Sequence, residues 1–490
     1  MKQIARQHRH DLKALARQAM TDHGFLPDFS PEVLAEISTG ASPVAGDDTG
    51  LRDLRGLLWI SIDNDDSQDL DQVSVADPQP EGAVKVLVGV ADVDAIVRNG
   101  SAIDNRSRHN TTSVYTAAEI FSMLPERLST DLTSLNEGED RPAIVIEMLF
   151  DQKGGLLQSD LCRAVVRNQA KLAYNSLAAW LEGKGPAPER VTSVPGLDEQ
   201  VRIQDRVARR LKDLRHDRGA LSLQTLDVRP VFDGDRLVAL EVDRTNRSKE
   251  LIQDLMVAAN GVTANYLAAK GLPSLRRVLP SPERWNRICE LAAEFGEELP
   301  AEPDATALEK FLVKSKRIDL PGFPDLSLSV IKLIGKGEYV AHLPGDSLPG
   351  HFGLAVRDYT HSTAPNRRFA DLVTQRLLKA AMAGRPVPYS LDELNDLASR
   401  CTLMENEAKK VERQVQKSAA ALLLASRIGE RFDGIVTGAS KKGTWVRIFQ
   451  PPVEGKLIYG FNDLDVGDRV RVELINADVE KGFIDFSQKG

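Results

Sequence analysis

The sequence predicts a multidomain protein with a small all-α, helix-turn-helix-like unit first, a large α+β domain next, and a closed all-β barrel of the OB type last. Three observations carry this reading. The 490 residues exceed one ordinary domain of about 150. Strand-like apolar runs end by residue 150, and helical periodicity dominates after 166. From 431 onward, short strands separated by glycine turns return.

Each element follows in order. Residues 4–20 place Ile4, Leu12, Leu15, Ala16 and Ala19 on one side of a helix. Gly24 breaks it, and Ser30-Pro31-Glu32 has the form of a helix start with proline in the first turn, leading into VLAEI (33–37). Two or three short helices within 1–45 suit a helix-turn-helix unit, or equally a helical cap on the next domain. Residues 39–50 (TGASPVAGDDTG) read as a linker. The α+β domain, 50–430, opens with the strands LLWISI (57–62), AVKVLVGVADV (83–93) and AIVIEMLF (143–150). Helices follow at 169–182, 196–217, 246–270, 282–296, 306–316 and 366–384, with a long one across 391–430. In 431–490, a hairpin around KKG (441–443) and the runs EGKLIYG and DRVRVELINADVEKGFIDFS supply five short strands. A small barrel of this kind is most often an OB-fold, a frequent binder of single-stranded nucleic acid.

Charge counts mildly against a nucleic-acid partner, because the net value of −8 has the wrong sign for phosphate. Local patches run the other way. Residues 1–20 carry five Lys/Arg against one acid, and 205–218 reads DRVARRLKDLRHDR. No stretch approaches the roughly 20 apolar residues of a membrane span, and the N-terminus lacks the apolar core of a signal peptide. Three cysteines, Cys162, Cys289 and Cys401, are odd in number and lack zinc-ligand spacing. The expectation is a reduced, cytoplasmic monomer.

The most informative stretch is SIDNDDSQDLDQV (61–73), with five Asp in nine positions directly after an apolar strand. Acids on a loop are usually solvated. Here apolar strands bound the run on both sides, so part of it lies near the core. Asp69 and Asp71, two positions apart, project to one side of an extended chain. Carboxylates held together repel unless a hard cation neutralises them, and Mg²⁺, completed by water and substrate phosphate, is the natural candidate.

Asp63, Asp69 and Asp71, with Gln72 beside them, resemble the ribonuclease II (RNB) family pattern of a strand ending I-D and then D-x-D-D; Gln72 stands where the family usually has a fourth Asp. Three further blocks carry the same resemblance: VGVADVDAIVRNGSAID (88–104), SVYTAAEIFSMLPERLSTDLTSL (113–135) and YTHSTAPNRRFADLVTQRLL (359–378). The barrel at 431–490 is similar to the S1 RNA-binding domain that ends family members.

The resemblance implies a hydrolytic, processive 3′→5′ exoribonuclease that acts on single-stranded RNA, releases nucleoside 5′-monophosphates and serves RNA decay or processing. It implies one or two Mg²⁺, with Mn²⁺ as an alternative, held by Asp63, Asp69, Asp71 and Gln72. The amide of Gln72 contributes no charge, so a raised Mg²⁺ requirement is expected. Arg367 would stabilise charge on the phosphate in the transition state, and Arg368 would bind substrate beside it. Tyr115 would hold the 3′-terminal nucleotide and Tyr174 another, although each also suits plain packing. Asp254 and Glu412 would accept from ribose hydroxyls, unless they serve only helix capping or ion pairing. His361 reads as structural. Family members usually begin with two cold-shock barrels, which 1–50 cannot hold, so this region would dock RNA differently or help open structured RNA. Two other classes compete: a non-catalytic RNA-binding protein whose Gln72 marks a decayed metal site, and a DNA-binding regulator led by the N-terminal helices.

Overall fold

The structure, a computed structural model, describes residues 8–38, 50–320, 322–440, 443–462, 464 and 466–488. Ile4, the linker 39–49 and the Lys441-Lys442 turn lie outside them.

The N-terminal helices α1 (His8–Asp22) and α2 (Pro31–Ser38) exist as expected, but they do not share a core. Leu12, Ala16, Ala19 and Met20 of α1 pack with Val114, Phe121, Val411 and Val415. Val33 and Ile37 of α2 belong instead to the main core. The N-terminal part is helical as expected. Among the described residues, its two amphipathic stripes point at different partners, the arrangement of a helical cap on the larger domain rather than of a self-contained helix-turn-helix.

The main sheet explains why the strand runs are so apolar. After β1 (Arg52–Asp53) come β2 (Trp59–Asp63), β3 (Gln72–Pro78) and β4 (Val84–Ala91). Helix α3 (Ala102–Asn110) and the short pair β5 (Val114–Tyr115) and β6 (Ile120–Phe121) precede the long strands β7 (Asp140–Phe150) and β8 (Leu156–Ala173). β2, β3, β4 and β7 are antiparallel neighbours. β8 first runs antiparallel to β7 and then parallel to β2, so the sheet returns on itself. Nearly every residue of β2 and β4 is buried, as strands covered on both faces must be. The helix expected from 169 begins at 174, because Asn168–Ala173 is taken up by pairing with β2. Tertiary pairing overrides local preference there.

Helices cover the sheet: α4 (Tyr174–Leu181), α5 (Glu189–Ser193) and α6 (Leu197–Asp217). β2 meets β3 only at Ile60↔Ser74, and α6 meets the backbone polarity this leaves. Gln200 Nε2 donates to the Ala76 carbonyl (2.8 Å), and the Ala76 N–H donates to Gln200 Oε1 (2.5 Å). A ribbon, β9 (Asp227–Asp233) and β10 (Arg236–Asp243), leads to α7 (Arg247–Ala269), and β11 (Ser274–Val278) follows. Next come α8 (Trp285–Glu294), α9 (Ala305–Ile318) and α10 (Phe323–Ile334), which share a separate core around Phe311 and Phe323. β12 (Glu338–His342) pairs with β11, before α11 (Phe369–Met382) and the long α12 (Leu391–Leu424). Sequence periodicity gave no sign of α3, α10 or the two ribbons, β9–β10 and β11–β12.

The C-terminal strands are β13 (Arg431–Ser440), β14 (Gly443–Ile448), β15 (Val453–Tyr459), β16 (Arg469–Asp478) and β17 (Phe483–Ser487). They close as β13-β14-β15-β17-β16, the expected five-stranded barrel. Gly455 is required for that closure, since a Cβ there would sit 2.6 Å from the Ile484 carbonyl oxygen. Arg447 of β14 clasps Asp325 of α10 with two hydrogen bonds (2.6 and 2.9 Å).

A buried ionic network fixes α11 to the segment after β4. Lys379 Nζ lies 2.9 Å from Asp92 and 2.8 Å from Asp94, and Arg376 bridges Asp94 (2.9 Å) and Asp104 (2.8 Å). The Asp92 side chain is fully buried. Lys379→Met would leave that carboxylate only Arg163, 3.7 Å away, and the Ala95 N–H, and we expect a loss of about 3 kcal/mol in denaturant unfolding. A loss under about 1 kcal/mol would mean that water reaches Asp92.

Candidate functional site

The acidic loop is built by its neighbours before it is built by its charges. The Leu70 side chain, 2% exposed, is anchored in the core. Its N–H donates to Ser134 Oγ (3.0 Å), whose hydroxyl donates to the Gln68 carbonyl (2.7 Å). The Leu135 N–H donates to the Leu70 carbonyl (3.0 Å) and that of Ala91 to the Asp71 carbonyl (2.9 Å). These bonds fix the backbone on both sides of Leu70, while Asp65 and Asp66 remain solvated. Asp63, at the end of β2, accepts from the Asn64 N–H (2.7 Å) and the Ser67 hydroxyl (3.0 Å).

Asp71 joins this loop to the segment before α11. Its Oδ1 accepts from the Asn366 N–H (3.0 Å) and its Oδ2 from Arg367 Nε (2.9 Å). The same segment is zipped to the strand that carries Tyr115: the Ser113 N–H donates to the Arg367 carbonyl (3.0 Å), and the Phe369 N–H to that of Thr111 (2.8 Å). Glu412 of α12 accepts from the Tyr115 N–H (3.0 Å). Four distant stretches of chain thereby meet.

They enclose a cavity of about 430 Å³ whose wall includes Asp63, Asp69, Gln72, Tyr115, Tyr174, Arg367 and Arg368. Seven of the sequence-predicted positions therefore converge, and three do not line the cavity. Asp71 lies behind the wall, holding Arg367. Glu412 reaches the cavity only through Tyr115. Asp254 is on the side of α7 that faces an adjoining pocket, where it pairs with Arg215. Arg368 lines the cavity but is clasped by Asp371 through Nε (2.9 Å) and Nη2 (2.7 Å), so much of its donor capacity is spent inside the protein. His361 lies outside the wall, its Nδ1 2.7 Å from the Tyr339 hydroxyl, as a structural histidine would.

Sequence reasoning missed the opposite wall. Gln253, Met256, Val257 and Asn260 of α7 line the cavity, with Tyr359 and Thr363. Their spacing of three, four and seven marks one helical face, and polar Gln253 and Asn260 on it were the available signal.

Electrostatics at the site are those of acids held out of water. Burial pushes the Asp71 carboxyl up to about 7 against the opposing pull of Arg367, with Asp69 adding to the rise. Burial likewise raises Asp69, and Asp63 adds to it. The phenols of Tyr115 and Tyr174 are raised by burial too, so both are neutral. Arg367 keeps its charge, raised above the usual arginine range by Asp71 despite burial.

The donor set fits Mg²⁺ of the sparse kind. Among the described residues no three His, Cys, Asp or Glu side chains form a ready-made cage. Asp63 and Asp69 with the Gln72 carbonyl oxygen offer two carboxylates and an amide on one cavity, and Mg²⁺ commonly takes one or two carboxylates, keeping waters and substrate phosphate for the rest.

A raised Asp71 pKa has a consequence for folding. Between about 4 and 7 the unfolded chain has lost this proton and the folded chain retains it, so stability falls as pH rises through that window. In denaturant unfolding without divalent ions at pH 4.5–7.5, the wild type should decline relative to Asp71→Asn, which cannot ionise. Parallel curves would place the Asp71 pKa at its ordinary value.

Comparison with known proteins agrees with this architecture. The model for the RNB domain matches residues 51–384, and that for the RNase II-type exonuclease C-terminal S1 domain matches 430–489. Ribonuclease R of Aquifex aeolicus is 29% identical over 493 residues, covering 94% of this chain and 68% of its own. Ribonuclease R of Vibrio parahaemolyticus is 27% identical over 475 residues, covering 89% and 56%. The chain thus spans little more than half to about two-thirds of these relatives' length. The structure of Mycoplasma genitalium RNase R in complex with ribose methylated single-stranded RNA superposes with a TM-score of 0.87 at 22% identity, covering 98% of this chain and 78% of that one. Yeast Ssd1, a pseudonuclease, shares the fold with a TM-score of 0.73 at 18% identity, covering 92% and 56%.

Proposed function

The chain belongs to the RNB family, and from that premise we propose that it is a hydrolytic 3′→5′ exoribonuclease that shortens single-stranded RNA processively to nucleoside 5′-monophosphates in RNA decay or processing. The observation that carries this reading is the meeting of Asp63, Asp69, Tyr115, Tyr174 and Arg367 on one recessed cavity.

In that cavity the two tyrosine rings offer faces to the terminal bases, a contact worth about 1–3 kcal/mol per base and indifferent to sequence. Asp71 occupies Arg367 Nε, and the Tyr115 hydroxyl lies against the same guanidinium, so a phosphate oxygen would meet the donors that these two leave. Because Asp71 fixes that guanidinium beforehand, little reorganisation is needed as charge develops on the phosphate. Glu412 sets the height of Tyr115 by holding its backbone. Asp63, Asp69 and Gln72 would hold Mg²⁺, which when bound lowers the pKa of a water and neutralises phosphate charge. Asp254 and Glu412, expected to accept from ribose hydroxyls, stand off the cavity wall, where Asp254 pairs with Arg215 and Glu412 holds the Tyr115 backbone.

A second reading has its own support: Gln72 stands in the cavity wall in place of an acid, and a pseudonuclease shares the fold. In that reading the chain binds RNA without cutting it. One experiment separates the two. With 5′-labelled single-stranded RNA and Mg²⁺, the wild type should yield a ladder that chelator abolishes, and DNA of the same sequence should persist. Arg367→Gln should slow shortening on the order of a hundredfold or more while RNA is still bound. RNA bound but never shortened, at any Mg²⁺ concentration, would establish the second reading.

Gln72→Asp tests the metal set directly. Restoring the charge should lower the Mg²⁺ concentration for half-maximal rate. An unchanged requirement would remove Gln72 from the metal's surroundings.

A further inference from the structure

Behind the main cavity lies a second pocket of about 210 Å³, and Tyr359 belongs to the wall of both. Its other lining residues include Arg276, His342, Asp346, Arg357 and Asp358. The β11–β12 ribbon forms its base. Ser274 stands directly opposite His342, and Arg276 lies two positions further along β11, so all three side chains share one face. All three are buried, at 0%, 8% and 3% exposure.

Each also carries a polar atom without a hydrogen-bond partner among the described residues: Ser274 Oγ, His342 Nδ1, and both Nε and Nη1 of Arg276. Arg276 Nη2 donates to the Ala264 carbonyl (3.0 Å), and Nη1 stands 3.5 Å from Asp358, beyond a normal hydrogen bond. Burial lowers the Arg276 pKa, with Asp358 only partly offsetting it. Buried polar groups are nearly always satisfied, and of these orphans Arg276 and His342 both line the pocket, where one ligand would meet them together.

We propose that this pocket is a second anion site that binds a phosphate monoester, with the phosphate on Arg276 and His342. Asp346 and Asp358 leave room for this once Asp358, 3.5 Å from Arg276 Nη1, turns outward. Both are exposed at the rim, where water screens them, and Asp346 already accepts from the Leu343 N–H (3.1 Å). Rim carboxylates also suit the hydroxyls of an attached ribose. Two ligands would bring a phosphate group to the pocket, a nucleoside 5′-monophosphate or free inorganic phosphate. The first rests on the proposed exonuclease activity, which would generate it one wall away.

Equilibrium binding of radiolabelled nucleoside 5′-monophosphate, without RNA or divalent cation, tests the site independently of any cleavage. Saturable binding should survive Arg367→Gln, which alters the main cavity. It should weaken about tenfold or more in Arg276→Met, the value of one charge-assisted phosphate contact. Arg276→Lys should lose less, and His342→Leu should weaken binding with Arg276 intact, so the test stands even if Arg276→Met does not fold. Competition by unlabelled inorganic phosphate at equal strength assigns the phosphate alone, and weaker competition assigns the nucleotide. Binding lost in Arg367→Gln but retained in Arg276→Met would place the ligand in the main cavity and overturn the proposal. Absence of saturable binding in the wild type would overturn it too, whatever the RNA assay shows.

Discussion

Asp71 reaches Asn366 and Arg367 across almost three hundred residues of chain, and the carboxylate it brings is 2% exposed. Removing such a charge from water costs several kcal/mol, which its partners offset only in part, so the carboxyl keeps its proton up to about 7. One oxygen takes a backbone N–H and the other a guanidinium, so neither partner can leave without stranding the other. The start of β3 and the segment before α11 therefore behave as one piece. Because that segment is also zipped to residues 111–113, the same constraint sets where Tyr115 stands.

Further along α11, the network of Asp92, Asp94, Asp104, Arg376 and Lys379 repeats the logic. Arg376 and Lys379 share one helical face with Phe369, Leu372 and Val373, so buried ion pairs and apolar packing together give the helix one seating. Its N-terminal neighbour Arg367 is thus aimed by the whole helix. The facing wall, on α7, is of another kind: Gln253, Met256, Val257 and Asn260 bring amides and soft apolar surface rather than charge. One wall suits a phosphate and the other a base or ribose, a division that a nucleotide substrate would use.

Several acids act at a distance. Glu412 and Asp71 each fix a residue of the cavity instead of lining it, and Asp254 completes an ion pair with Arg215 in the next pocket. Acidic character at these positions is thus accounted for by positioning and pairing. The N-terminal helices serve the fold similarly, each spending its apolar stripe on a different part of the large domain.

The amino-acid sequence by itself determined that acids follow an apolar strand, that α6, α7, α11 and α12 are helices, and that a five-stranded barrel closes the chain. These are local matters of periodicity, turn residues and spacing, which neighbouring residues encode. It also marked Asp63, Asp69, Tyr115, Tyr174 and Arg367, which do meet. What it could not contain was the direction of each side chain relative to a distant partner. That Asp71 turns to Arg367, that Asp254 faces away, that residues 168–173 extend along β2 instead of coiling, and that α7 supplies the far wall were all decided by tertiary structure. The reason is physical: the burial and pairing energies that select among these arrangements exist only once segments hundreds of residues apart have come into contact.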